Sequence, residues 1–203
     1  MSYKTDQERF WAGDFGNEYI SRNSETSCLV PDINFFSNIF GNMDHVSSLM
    51  EFGANVGLKL QAMKVLMPDL FCAAVEINEN AVVQLRKQAD QVFAMSILDY
   101  VPERKYDVVL CKGILIHINP AFLPDVYRKM YESSGRYIII AEYYNPSPVT
   151  ISYRGNSDRL FKRDFAGEML DLFPDLRLKK YGFQYHRDVN FPMDDITWFL
   201  LEK

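Results

Sequence analysis

The sequence predicts an α/β domain built on a doubly wound, mostly parallel sheet, and three of its features do so. From residue 46 onward, short apolar runs alternate with helical periods, the pattern that sandwiches a parallel sheet between two layers of helices. The first of those runs ends in a glycine turn, Glu51-Phe52-Gly53-Ala54-Asn55-Val56-Gly57, which opens a helix. The last two apolar runs follow one another with no helix between them, so the sheet closes with an antiparallel pair at one edge.

The elements follow in order. Residues 1–45 read as a helical cap, with Phe10, Trp11, Phe15, Tyr19 and Ile20 at three- and four-residue steps, broken by Gly13 and Gly16. Within it, Ile33, Phe36, Ile39 and Phe40 line one face of 32–40, and Gly41 ends that helix. Residues 46–52 form the first strand, and 58–67 a helix closed before Pro68. A second strand covers 70–75, a helix capped by Asn78 covers 78–89, and a third short strand covers 91–95. The fourth, 106–111, is continuously apolar, as in a strand buried on both faces. The helix over 120–132 is regular only beyond Pro124. Tyr137-Ile138-Ile139-Ile140-Ala141 makes the fifth strand, and a helix at 165–173 precedes the closing strands 176–183 and 196–202. Residues 143–163 read as a long loop, and a loop of that length in a compact domain is usually functional.

Composition narrows the class. The 203 residues carry a net charge of −5 and are 48% hydrophobic, which one globular domain with a full core explains. An acidic chain is a poor match for nucleic-acid phosphate, which asks for clustered Lys and Arg. Three cysteines, an odd count, fit a reduced compartment, and neither Cys-x-x-Cys nor His-x-x-x-His occurs, so no metal site is expected. Cys72 and Cys111 sit on apolar strands and Cys28 in a loop. The polar start, Met1 to Phe10, and the lack of a long apolar run point to a cytoplasmic protein without a membrane span. The unusual figure is the aromatic share: 15 Phe, 12 Tyr and 2 Trp.

The glycine turn selects among ligands. In an open parallel sheet the ligand crevice lies beyond the carboxyl ends of the strands, near the point where strand order reverses. Gly53 allows the tight turn there, Gly57 allows a close approach of the new helix to the strand, and backbone N–H groups between them face the crevice. A dinucleotide fingerprint needs glycines at relative positions 0, 2 and 5, where this chain has Gly53, Asn55 and Leu58. That disfavours a dehydrogenase, and no Gly-Lys-Ser/Thr follows to make a P-loop. Glu51 before glycines four apart instead resembles motif I of class I S-adenosylmethionine-dependent methyltransferases, with Asn55 in place of the usual central glycine. The second strand ends at Glu76, where that family holds the two ribose hydroxyls. Ser96–Asp99 matches the loop that holds the adenine edge. Lys112, at the tip of the fourth strand, joins Glu51, Gly53, Asn55, Gly57, Glu76 and Ser96 as the cofactor-binding set.

Further segments carry a narrower resemblance: Phe10-Trp11-Ala12-Gly13-Asp14-Phe15-Gly16-Asn17-Glu18-Tyr19 with Arg22-Asn23, Leu110 to Pro120, Ala141-Glu142-Tyr143-Tyr144-Asn145-Pro146, Tyr153-Arg154-Gly155 and Lys162 to Gly167. Together they resemble the methyltransferases associated with pseudaminic acid biosynthesis. The resemblance implies a Rossmann-like, seven-stranded sheet whose last strand is antiparallel. It also implies S-adenosylmethionine as cofactor and, as acceptor, a small anionic sugar: a nonulosonic acid or nucleotide-sugar used for bacterial surface glycans. A cofactor-binding relative without transferase activity is the alternative, and the chain is expected to be a monomer or dimer.

On the acceptor side, His117 is the first candidate base, the alternative being a hydrogen-bonded group tucked against the core. Glu142 is a second base or an amine-positioning group. Tyr143 and Tyr144 point to opposite faces of an extended chain, so one packs and the other lines the pocket. Tyr143 is placed with the catalytic residues, and Tyr144, Tyr153, Arg154 and His186 with the substrate. The guanidinium of Arg154 suits a carboxylate or phosphate. Residues 143–163 serve as an acceptor lid, and Tyr19, Arg22 and Asn23 as part of a cap over the cofactor.

Overall fold

The computed structural model describes residues 3–22 and 29–203. Strands β1 (Ser48–Phe52), β2 (Phe71–Glu76), β3 (Gln91–Ala94), β4 (Tyr106–Lys112) and β5 (Ser134–Glu142) are mutually parallel; β8 (Arg177–Gln184) and β9 (Ile196–Glu202) complete one sheet. Its order is β3-β2-β1-β4-β5-β9-β8, and β9 runs antiparallel to both neighbours. The sheet is therefore the seven-stranded, doubly wound one expected, with the last strand reversed.

Alternate residues of each central strand enter opposite cores, as the two-residue period of a strand requires. Met50, Val109 and Ile138 pack with Val126 and Met130 of α6 (Leu123–Ser133) and Met169 of α7 (Phe165–Leu172). Leu49, Val108 and Ile139 pack on the other face with Phe36 and Ile39 of α3 (Leu29–Phe40) and Leu60 and Met63 of α4 (Leu58–Leu66). The remaining crossover helix, α5 (Glu79–Leu85), starts at Asn78, whose side chain accepts from the N–H groups of Asn80 and Ala81, so the predicted cap is in place.

Three segments differ from the reading above. The N-terminal helical run is split at Gly13 into α1 (Asp6–Ala12) and α2 (Asp14–Arg22), and α1 carries a capping box between Thr5 and Glu8. The regular part of the helix over 78–89 stops at Leu85. The long loop 143–163 contains a β-hairpin, β6 (Val149–Tyr153) with β7 (Asn156–Lys162), turning at Arg154 and Gly155, which have φ of 50° and 81°. The expectations for Asn23, Cys28 and the Arg22 side chain lie outside what the structure describes. Among the described residues, no helix is long and apolar enough to cross a membrane.

Candidate active site

The strand order reverses between β1 and β4, and the carboxyl ends of these strands open into a cavity of about 560 Å³. Its floor is the turn after β1. Gly53 and Asn55 adopt φ of 72° and 50°, and a Cβ on Gly53 would run into the Ile114 side chain. Most of the turn's N–H groups are used within the protein. Gly53 and Ala54 donate to the Val75 carbonyl (2.9 and 3.2 Å), and Gly57 donates to Ala54 (3.0 Å). Asn55 donates to Glu76 Oε2 (2.7 Å). Gly57 is likewise needed for a different neighbour: at φ 86°, its Cβ would sit 2.9 Å from Gln88 Cβ, beyond α5, so the close approach is to that segment and not to the strand.

Glu76 ends β2 at the lip of the cavity, 8% exposed. Its Oε1 accepts from the Asn78 N–H at 2.8 Å and its Oε2 from Asn55. An ionised carboxylate offers roughly four lone-pair sites, more than these two N–H groups use. Burial raises its pKa, against the pull of those two N–H groups. Ser96 also lines the cavity, and its hydroxyl is already engaged, donating to Glu8 Oε1 and accepting from the Leu98 N–H. Glu8 therefore ties α1 to the loop after β3. Asn78 ties the same cap to β2, its amide donating to the Trp11 carbonyl (3.2 Å) and to Asn17 Oδ1 (3.0 Å).

Glu51 is fully buried and does not line the cavity. It backs Lys59, whose Nζ lies 3.0 Å from Glu51 Oε1 and which does line it. Burial pushes the Glu51 carboxyl up, with Lys59 opposing. Lys112 lines the cavity 3.6 Å from the buried Asp32 of α3.

The other half of the cavity gathers His117, Tyr143, Tyr153, Arg154 and Glu142. His117 ends a 3-10 turn, Leu115–His117, and is 8% exposed. Its Nδ1 lies 2.6 Å from the Arg159 carbonyl of β7. A carbonyl only accepts, so Nδ1 carries the proton and Nε2 is left with a lone pair. Burial lowers the imidazole pKa to about 4, and the ring packs against both Trp11 (4.6 Å) and Tyr153 (5.1 Å). His117 is thus a hydrogen-bonded, buried group that also borders the cavity.

Glu142 caps that same turn. Its Oε1 accepts from the N–H groups of Ile114 and Leu115, each at 2.9 Å, while Oε2 is buried without a partner. Burial raises the carboxyl to about 7 despite these donors. Tyr143 donates to Asp194 Oδ2 at 3.0 Å, and both border the cavity. Tyr143 and Tyr144 do part company as the strand geometry requires. Tyr144 is 41% exposed beside Phe199 and away from the cavity. His186 is also outside it, exposed and paired with Asp195 (2.8 Å). Arg154 borders the cavity at the hairpin tip, with no carboxylate in ion-pair range among the described residues.

The sequence reading missed Glu8, Lys59 and Asp194. Lys59 is the second residue of the helix after the glycine turn, a position from which a lysine reaches back to the strand-end acid. Nothing local marks the other two.

No family model and no curated protein matches the chain, so the narrower resemblance to methylases of pseudaminic acid biosynthesis has no family model behind it. Solved structures match nearly its whole length. The plantazolicin methyltransferase BpumL, in complex with SAH, superposes with a TM-score of 0.66 at 12% identity, covering 97% of this chain and 93% of that one. A SAM-dependent methyltransferase from Leishmania major gives 0.71 at 14% identity, over 96% and 81%. Magnesium protoporphyrin IX methyltransferase from Synechocystis, with bound SAM, gives 0.63 at 10% identity over the full length of both. At such identities the shared property is the fold, and it is the Rossmann-like fold of class I SAM-dependent methyltransferases.

Proposed function

We propose that this chain is an S-adenosylmethionine-dependent methyltransferase and that its acceptor is a small anionic sugar. The observation that carries the first part is the cavity lip. Glu76 is held there by two backbone N–H groups with lone pairs to spare, at the strand-order reversal of a methyltransferase fold. The residues fit the cofactor: Glu76 would hold the ribose hydroxyls, the wall at Ser96 the adenine, and Gly53, Asn55 and Lys112 the amino-acid end. When bound, the cofactor supplies an electrophilic methyl group on a positively charged sulfur.

The chain's own residues then position the acceptor and exclude water, which is most of what an in-line displacement needs. Arg154 pairs with the acceptor's carboxylate or phosphate, and Tyr143 and Tyr153 flank its ring. His117, neutral at pH 7 with its Nε2 unprotonated, accepts a hydrogen bond from the acceptor hydroxyl or amine. Glu142 acts through the turn it caps, fixing His117, a role its two N–H contacts favour over that of a base. The acidic sugar, its use in bacterial surface glycans and a cytoplasmic location rest on the resemblance carried by the motifs around Trp11, Tyr143 and Arg154.

Calorimetry with S-adenosylmethionine tests the first part: no binding at millimolar concentration overturns it. A mass-spectrometric screen of nonulosonates and nucleotide-sugars for a gain of one methyl group tests the second. Tight cofactor binding without transfer to any candidate would instead identify a catalytically silent relative.

A further inference from the structure

We infer that Lys59 anchors the carboxylate at the amino-acid end of the cofactor and that the buried Glu51 positions it there. The inference rests on the methyltransferase reading above. It adds a contact by which the site tells S-adenosylmethionine from the same molecule without its carboxylate.

Lys59 is the second residue of α4, and its side chain, 17% exposed, reaches the cavity. A cation in the first turn of a helix lies against the macrodipole. Here that turn has no acidic residue, and Gly57 caps it without a side chain. A lysine that only braced the fold would gain little from the position. Its ion pair is also incomplete at both ends. An ammonium carries three donors; Glu51 Oε1, 3.0 Å away, can take one, and no other acceptor meets Lys59 among the described residues. Glu51 Oε2 is buried without a partner. Enclosing an ion pair costs desolvation that apolar side chains in the same place would avoid. A pair whose cation faces a cavity with donors to spare suits binding better than bracing.

The charges around Lys59 fit the ligand. Lys112 lines the same cavity 3.6 Å from Asp32, whose Oδ1 also lacks a hydrogen-bond partner. Glu51 feels the charge of both lysines and of Asp32, and Glu76 feels that of Lys59. The two lysines and two carboxylates cancel, so a ligand end bearing both an ammonium and a carboxylate adds no net charge to them. The amino-acid end of S-adenosylmethionine is such a group. Glu51 does not line the cavity, so its part is to hold Lys59.

Calorimetry on the full chain, with no acceptor present, tests this with S-adenosylmethionine, its decarboxylated analogue, and methylthioadenosine, which lacks the whole amino-acid end. The wild type should bind S-adenosylmethionine at least about tenfold tighter than the decarboxylated form, the scale of one charged hydrogen bond. Lys59→Met should erase that preference and leave methylthioadenosine binding unchanged. Because this substitution strands Glu51, the double variant Glu51→Gln with Lys59→Met serves where the single one does not fold, with the same result expected. Glu51→Gln alone should narrow the preference, and in the Lys59→Met background it should change nothing further. A bracing role would weaken all of the probes alike. A wild type without the preference, a preference that survives Lys59→Met, or a loss shared by methylthioadenosine overturns the inference and leaves the methyltransferase reading standing. A wild type that binds none of the probes overturns both.

Discussion

Glu142→Gln should stabilise the protein at neutral and alkaline pH and leave it little changed in acid. The carboxyl is 2% exposed and raised by burial from 4.5 to about 7. Between those values the folded state binds the proton and the unfolded state does not. Stability is therefore fully present below the unfolded value and is lost as pH rises through the folded one. At about 1.36 kcal/mol per pH unit the loss approaches ~3.4 kcal/mol, of which about 2.5 kcal/mol falls between roughly pH 5 and pH 8. Glutamine keeps an oxygen for the Ile114 and Leu115 N–H groups and carries no titrating proton. The difference between variant and wild-type urea-unfolding free energies should thus grow by that amount over the interval, whatever its offset in acid. Parallel curves would refute the account, because they would mean that the buried carboxyl titrates at its ordinary value. The difference curve is needed because His117 works against Glu142 in the wild type. Its pKa falls from 6.5 to about 4, so in that window the unfolded state binds the extra proton and stability rises with pH. The wild-type profile alone would look flatter than either group makes it.

Glu76→Ala removes the acceptor of two N–H groups, those of Asn55 and Asn78; at about 1–3 kcal/mol for each buried donor left unpaired, denaturant unfolding should show a loss of about 2–6 kcal/mol. Calorimetry on the surviving folded fraction should show cofactor affinity weaker by a further ~1–3 kcal/mol, and unchanged affinity would remove Glu76 from the ribose. Gly16→Ala sets a Cβ against the Trp11 carbonyl and 2.8 Å from the Asn78 amide, so α1 and α2 should lose amide-exchange protection while β1 and β4 keep theirs. Arg154→Ala should raise KM for an anionic acceptor by roughly tenfold or more, the scale of one charged hydrogen-bonded pair, and leave cofactor affinity intact; an unchanged KM would place the acceptor's charge elsewhere.

The sheet was legible because its signals are local. Val108 to Cys111 and Tyr137 to Ala141 are apolar without interruption and fully enclosed, and Asn78 and Pro68 punctuate the helices. The β6–β7 hairpin was not, because Val149 and Ile151 are 40% and 38% exposed and leave no buried–exposed alternation. Its turn, Arg154-Gly155, also lacks the Asn-Gly or Asp-Gly signature of a tight hairpin. Glu76 and the glycine turn could be placed at the cavity for the same reason as the sheet: they lie at strand tips, and strand tips can be found in a sequence. The contacts that finish the cavity join distant segments. Glu8 meets Ser96 across 88 residues, Asn78 meets Trp11 across 67, and Tyr143 meets Asp194 across 51. No window of sequence contains both partners of such a pair.

The two halves of the cavity are built from different parts of the chain. The half proposed for the cofactor is cut into the sheet itself, its turn closed by backbone hydrogen bonds to Val75 and by the buried Glu76. The acceptor side is an assembly of three added pieces: α1, the 3-10 turn of His117 and the β6–β7 hairpin. Rings and hydrogen bonds join these pieces, and Leu115, Ile116 and Leu160 anchor the turn and the hairpin in the core. Trp11 and Tyr153 lie against His117, Gln7 Nε2 donates to the Asp158 carbonyl at 2.9 Å, and Arg159 sits over Phe10. This is where part of the aromatic excess goes. Aromatic faces supply contact area without fixing a hydrogen-bond geometry. The low pKa of His117 depends on that packing, because burial is its cause. Lifting the hairpin returns the imidazole toward its ordinary basicity and removes the Arg159 carbonyl that fixes its tautomer. A neutral His117 with an unprotonated Nε2 is thus a consequence of its packing against the β6–β7 hairpin, and the chemistry proposed for it depends on that packing.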